Sequence, residues 1–288
     1  MTTVLETLDK GTAYLTKKGI EDARRNMQLL VAHQLACTRM DLYLRFDQPL
    51  EETDLAPLRD LLKKRGEGVP IQHLIGYVTF HRRDFKTDAR ALIPRPETEE
   101  LAEWLLKNAK LPPNPRILDM GCGSGVLGLT LAADTPGSHV TLADVSPEAL
   151  ALARENAAEL EVTNVTFVES DLFTAPQLGG PGYDLIVANL PYVPEVDRPT
   201  LARELAHDPA LALFSGADGL DLIRRFVPEA AARLAPGGWL ALEIGIDQSR
   251  EVEGLMQRAS LTGVLTLKDL SGIPRFPIAR CGGSPTDH

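Results

Sequence analysis

Arg116-Ile-Leu-Asp119-Met-Gly121-Cys-Gly123-Ser-Gly125 decides the fold of this chain. Its apolar run Ile117 to Met120 reads as a buried strand, and glycines at alternate positions follow without a spacer. Such glycines let the backbone turn tightly and approach a ligand where a Cβ would clash. Outward from here, Val126 to Ala133 reads as a helix and Val140-Thr-Leu-Ala143 as the next strand. Pro147 to Leu160 is a second helix, with Ala149, Ala153, Ala157 and Leu160 on one face. Val165-Thr-Phe-Val168, Leu185-Ile-Val-Ala188 and Trp239 to Ile244 continue the strand series. Near-continuous apolar strands alternating with helices predict an α/β fold whose parallel sheet is covered on both faces.

Acidic residues close the strands at ligand-facing positions. Asp144 ends the second strand, placed to accept from ribose hydroxyls, and Ser146-Pro147 supplies an N-cap and first helical residue. Asp171 ends the third strand, where a carboxylate accepts the amino hydrogen of an adenine while Leu172 or Phe173 packs its ring. Gly123-Ser-Gly125-Val-Leu-Gly128 is also a literal G-x-G-x-x-G, so a dinucleotide cofactor is a competing reading. Both readings agree on an adenosine. Cys122 lies in the loop with no basic partner nearby in sequence and reads as a small filler rather than a nucleophile. After the fourth strand comes Asn189-Leu190-Pro191-Tyr192, which offers an amide oxygen, a free carbonyl, a rigid ring and an aromatic face. That set suits a flat amide or amino group.

Composition narrows the class. The chain has 288 residues, 44% of them apolar, enough for one large and one small domain. No stretch approaches the ~20 apolar residues of a membrane span, and the opening Met-Thr-Thr-Val-Leu-Glu lacks the pattern of a secretory signal. Cys37, Cys122 and Cys281 are odd in number and far apart, and no histidines sit at metal-ligand spacing, so neither a disulfide framework nor a metal site is expected. These features read as a cytoplasmic protein. Residues 1–90 carry 15 Lys and Arg against 13 Asp and Glu, the remainder 15 against 27. The acidic half is a poor surface for nucleic acid, whose binders concentrate positive charge. Lys63-Lys64-Arg65 and His81-Arg82-Arg83 read as solvated faces.

Residues 1–70 read as a helical domain, with Ala23, Met27, Leu30 and Val31, then Leu55, Leu58, Leu61 and Leu62, at helical spacing. Gly66-Glu-Gly-Val-Pro70 breaks the pattern. Residues 71–95 read as a linker hairpin, 96–288 as the α/β domain, and Gly282 to His288 as an unstructured tail.

Several motifs together carry a family resemblance. Gly68-Val-Pro-Ile-Gln-His-Leu-Ile-Gly76, Leu92-Ile-Pro-Arg-Pro-Glu-Thr-Glu99, the glycine loop and Asn189 to Tyr192 resemble the release-factor glutamine N5-methyltransferases. Leu213 to Asp221, Pro236-Gly-Gly238 and Leu242-Glu-Ile-Gly245 agree. The resemblance implies a Rossmann-like class I S-adenosylmethionine methyltransferase fold with a small helical N-terminal domain. It implies S-adenosylmethionine held by Asp119, Gly121, Cys122, Gly123, Ser124, Gly125, Asp144, Asp171, Leu172 and Asn189. Asn189, Leu190, Pro191 and Tyr192 then form the catalytic and substrate-binding loop. The implied substrate is the glutamine of the Gly-Gly-Gln loop in class 1 peptide chain release factors. A related branch methylates a large-subunit ribosomal protein, and adenine-N6 methylation of nucleic acid uses a similar clamp. A monomer is expected, with no membrane partner. Two departures stand out: Leu190 where the family usually has Pro, and Asp208-Pro209 where Glu-Pro is common. Arg95, Glu97 and Thr98 either line the methionine end of the cofactor or cap a helix, and Glu243 is expected to be half-buried and structural.

Overall fold

A computed structural model describes residues 2–282, which form two compact units. Residues 283–288, most of the tail read as unstructured, lie outside the described residues. The first unit holds the chain up to Tyr77 and also Ala202–His207; the second holds Val78–Leu201 and the chain from Asp208 onward. Segment 71–95 therefore divides at Tyr77 instead of standing as a separate linker.

In the first unit, β1 (Thr2–Thr3) leads into α1 (Val4–Lys17) and α2 (Ala23–Gln34); β2 (Pro49–Leu50), α3 (Glu52–Gly66) and α4 (Ile71–Ile75) follow. Thr3 caps α1 by accepting from the Glu6 amide. The buried residues Leu8, Leu15, Met27, Leu30 and Leu58 form one core. A Cβ on Gly11 would sit 2.2 Å from the Met27 sulfur, so the Met27 side chain packs into the space that this glycine leaves on α1. Arg65 corrects the solvated-face reading of Lys63 to Arg65, because only 3% of it is exposed. Its guanidinium donates to Asn26 Oδ1 at 2.7 Å and to the Val69 carbonyl at 3.1 Å, and it pairs with Glu204.

The second unit opens within β3 (Tyr77–Phe80), whose first residue belongs to the first unit; β4 (Arg83–Lys86) completes the hairpin and α5 (Pro96–Asn108) follows. Then β5 (Arg116–Met120), α6 (Val126–Asp134), β6 (His139–Asp144), α7 (Pro147–Glu159) and β7 (Val165–Glu169) alternate as expected. β8 (Tyr183–Ala188), α8 (Asp221–Ala231), β9 (Leu234–Leu242), α9 (Ser249–Arg258), β10 (Leu261–Lys268) and β11 (Pro274–Cys281) complete it. The sheet order is β10-β11-β9-β8-β5-β6-β7, parallel from β9 to β7 and antiparallel at β11 and β10. This is the Rossmann-like arrangement. Leu118, Met120, Ile186, Ala188, Leu240 and Leu242 join the core with α8 and α9. Ile117, Val140, Leu142, Leu185 and Val187 join the core with α5, α6 and α7. Alternate residues of each strand therefore serve opposite faces.

From β5 the chain winds to β6 and β7 on one side, then returns to β8 on the other. At such a reversal the loops after the two central strands splay apart and leave a crevice at their carboxyl ends. Register pairs Met120 with Ala188, so Gly121 and Asn189 leave the sheet side by side.

Asn156, 1% exposed on α7, fixes the crevice wall. Its Oδ1 accepts from the Lys86 amide at 2.7 Å, and its Nδ2 donates to the Lys86 and Ser124 carbonyls at 3.1 and 2.9 Å. One side chain thus ties β4 to the glycine loop. Asn156→Ala removes the partner of three backbone groups, one buried and two part-buried, and is expected to lower the stability of the α/β unit by about 2–4 kcal/mol. Urea unfolding checks this, and a loss below ~1 kcal/mol means that water replaces the side chain.

Candidate functional site

A cavity of about 370 Å³ fills the crevice, and all its lining residues belong to the α/β unit. It collects Asp119, Gly121, Cys122, Gly123, Ser124, Asp144, Asp171, Leu172, Asn189, Leu190 and Pro191 from the expected set. Gly125 stands just behind as the first-turn cap of α6. Gly121, Gly123 and Gly125 have φ of 71°, 55° and 85°, left-handed conformations that favour glycine.

Asp119 does not point at open cavity alone. Its Oδ2 accepts from the Gly128 amide at 2.8 Å, and a Cβ on Gly128 would sit 2.8 Å from that oxygen. The last glycine of the literal G-x-G-x-x-G therefore makes room for a protein carboxylate. Asp144 accepts from Ser146 N through Oδ1 and from Gly123 N through Oδ2, both at 2.9 Å. An ionised carboxylate has about four acceptor positions, so lone pairs remain for a ligand. Burial raises the pKa of both acids, and Asp144 raises that of Asp119 further. Neither carboxylate forms an ion pair among the described residues, whereas Arg90, Arg95 and Arg225 at the cavity pair with Asp88 and Glu155, Asp208, and Asp171. The loop's local field is negative. It favours a cation and opposes the pyrophosphate of a dinucleotide.

The structure adjusts several expectations. Asp171 lies at the rim, half-exposed, and accepts from Arg225 at 3.1 Å. Leu172 lines the cavity, but Phe173 packs in the core under α8, stacked on Phe226 at 5.7 Å and covered by Arg233. Cys122 is buried, and burial holds its thiol well above the ordinary range, which suits a filler. Leu190 is 4% exposed, and a Cβ on Gly121 would meet its Cδ2 at 2.9 Å. Burial of this side chain anchors the loop where the family's Pro would stiffen it.

Tyr192 is not part of the cavity wall; its hydroxyl donates to Glu243 Oε1 at 3.2 Å. Glu243 is 1% exposed, correcting the half-buried reading. Thr98 donates to Glu243 Oε2 at 2.7 Å and accepts from Asn189 Nδ2 at 3.1 Å. Arg95 donates to Asp208, whose other oxygen accepts from the Ile93 amide. The shorter acid at 208 thus still pins the Ile93 to Arg95 turn. Of Arg95, Glu97 and Thr98, the first and last line the cavity and Glu97 does not; sequence reasoning missed Arg225, and it left Glu243 without a site role. The only local hint was an acidic residue inside an apolar strand.

Burial, the largest cause, and Asp144 push the Asp119 carboxyl from its ordinary 3.8 up to about 7, against the Gly128 hydrogen bond. Between those values the folded protein holds a proton that the unfolded chain has released. Stability from this group is therefore present below about pH 4 and lost as pH rises toward about 7. Asp119→Asn keeps an acceptor for Gly128 and removes the loss. Its ligand-free Tm is expected to exceed that of the parent at pH 8 and to match it near pH 4. An unchanged difference across that range assigns the effect to another group.

Residues 6–76 match the PrmC N-terminal domain family and residues 97–219 the methyltransferase small domain family. A release factor glutamine methyltransferase of Deinococcus radiodurans is 42% identical, over 96% of this chain and 98% of that protein. Another, from Geobacter sulfurreducens, is 39% identical over 97% of each. Among solved structures, the T. thermophilus 16S rRNA N2 G1207 methyltransferase (RsmC) in complex with AdoMet and guanosine aligns with a TM-score of 0.52 at 20% identity. That alignment covers 72% of this chain and 50% of that one and shows a shared methyltransferase fold.

Proposed function

The chain belongs to the release factor glutamine methyltransferase family, and on that premise we propose how its site performs the reaction. The protein transfers a methyl group from S-adenosylmethionine to the side-chain amide nitrogen of a release-factor glutamine, the one in the Gly-Gly-Gln loop of class 1 factors. Bound in the crevice, the cofactor supplies a methyl group on a positively charged sulfur. The carrying observation is the juxtaposition of an anionic glycine loop and the Asn189 loop at adjacent strand ends. Asp144 accepts from the ribose hydroxyls, Leu172 flanks the adenine, and Asp119 provides negative charge at the sulfonium end. Cys122, Ser124 and the three glycines form the cradle.

A primary amide nitrogen is a weak nucleophile because its lone pair is delocalised. Asn189 Oδ1 and the Leu190 carbonyl accept the two amide hydrogens, which fixes the nitrogen and favours its pyramidalisation. Pro191 walls the amide plane, while Tyr192 supports the loop from behind. Positioning is the main source of acceleration. The proton leaves to water after transfer. No helix among the described residues is long and apolar enough to cross a membrane, and the reading places the enzyme in the cytoplasm as a monomer.

The helical unit is the substrate-docking element. Met40 and Leu44 are 72% and 89% exposed there, beside the half-exposed Tyr43. Single rigid contacts near the reacting amide cannot select one glutamine on a folded protein, and remote contacts supply that binding energy.

Two tests follow. Incubation with labelled S-adenosylmethionine is expected to label the Gly-Gly-Gln glutamine of release factor; label only on ribosomal protein or DNA overturns the substrate. Asn189→Ala is expected to lower kcat by about 100-fold or more while cofactor affinity stays within about threefold. The docking role is tested separately: Met40→Asp with Leu44→Asp raises KM for intact release factor by about tenfold or more without altering cofactor affinity. An unchanged KM removes that surface from the reading.

A further inference from the structure

Asn189 works only if its amide faces the cavity oxygen-first. The two ends of an amide are nearly the same shape, so something must choose between them. We propose that Thr98 and Glu243 are positioning residues that make this choice through a buried, one-way chain of hydrogen bonds. The proposal rests on the reading of Asn189 as an acceptor for the substrate amide.

The geometry leaves little freedom. Glu243 follows β9, and its amide donates to the Ala188 carbonyl at 3.0 Å, so it sits beside the residue preceding Asn189. Its carboxylate, 1% exposed, faces two hydroxyls: Thr98 at 2.7 Å and Tyr192 at 3.2 Å. An ionised carboxylate only accepts, so both hydroxyls must donate to it. Thr98, 4% exposed in the first turn of α5, has then spent its single hydrogen. Toward Asn189 it has only lone pairs to offer. The Asn189 NH2 turns to it at 3.1 Å, and Oδ1 is left for the cavity. With the amide reversed, two oxygens would meet with no hydrogen between them, and the substrate NH2 would meet another NH2.

Protonation of Glu243 undoes the choice. A carboxylic acid donates to Thr98, the Thr98 hydrogen then turns to Asn189, and the amide reverses. Burial raises the pKa of Glu243, and Glu97 on α5 adds to this; Thr98, Tyr192 and Arg275 on β11 oppose it. Arg95, at the start of α5, faces the neighbouring Tyr192. The ionised form, and with it the rate, is lost as pH falls through this raised value.

The experiment measures kcat and KM from acid to alkaline pH at saturating cofactor, with cofactor affinity by calorimetry. Thr98→Val is expected to lower kcat by about 10–100-fold with cofactor affinity within about threefold, and Thr98→Ser to restore it to within about threefold. Glu243→Gln, which cannot titrate, is expected to lose the acid limb of the profile, with kcat lower by up to about 100-fold where its NH2 instead of its oxygen turns to Thr98. If Glu243→Gln does not fold, the Thr98 pair decides alone. Parental kcat in Thr98→Val, or an intact acid limb in folded Glu243→Gln, overturns the relay. Loss in Asn189→Ala together with parental Thr98→Val rejects the relay and keeps the acceptor reading; parental Asn189→Ala rejects the acceptor reading itself.

Discussion

A single strand, β5, paired in parallel on both sides, constrains everything at the site. The chain leaves it toward β6 on one side and reaches β8 on the other. The crossovers on the two sides depart in opposite directions, and neither covers the carboxyl end of the pair. A gap there is a topological necessity rather than a packing defect. The residues bordering it are fixed by register: Gly121 from one strand and Asn189 from its neighbour. The cofactor cradle and the amide clamp are therefore neighbours although 68 residues of chain separate Met120 from its register partner Ala188.

Much of this was legible because its determinants are local. Five parallel strands announce themselves as short apolar runs, and the glycine loop and Asn189 motif are contiguous. The remainder depends on contacts that sequence neighbours do not report. Thr98 meets Asn189 and Glu243 at separations of 91 and 145 residues, and nothing around Thr98 distinguishes it from a first-turn helix residue. Asp208 is likewise defined by Arg95, from 113 residues away. The β10 and β11 strands were missed because the sheet is antiparallel there. β10 is a half-exposed edge interrupted by Gly263, so it lacks the continuous apolar run of the central strands. Phe173 shows a subtler failure. Leu172 adopts φ of 50°, and past this left-handed kink the Phe173 ring stacks on Phe226 of α8 instead of lining the cavity.

Charge placement is the second organising feature. Every arginine lining the cavity is paired with an acid, while Asp119 and Asp144 have no basic partner among the described residues. Holding two acids in this way opposes folding of the empty protein, as the raised pKa of Asp119 shows. A cation entering the crevice relieves that opposition, so binding and folding are linked thermodynamically. The acidic bias of the chain beyond residue 90, unhelpful for nucleic acid, has a direct use in the crevice.

Arg65 closes the argument on a different timescale. Its buried guanidinium is completed by Glu204, and Ala202–His207 counts with the helical unit although the intervening residues from Val78 to Leu201 do not. During synthesis, the first 77 residues emerge long before this last piece. Domains generally fold as units from the N-terminus during synthesis, but here the leading domain remains unfinished until the ribosome has passed His207. Before then, Arg65 has only the neutral acceptors Asn26 and Val69. The N-terminal unit is thus the first to be begun, and its completion waits until strands β5 to β8 of the second unit have been synthesised.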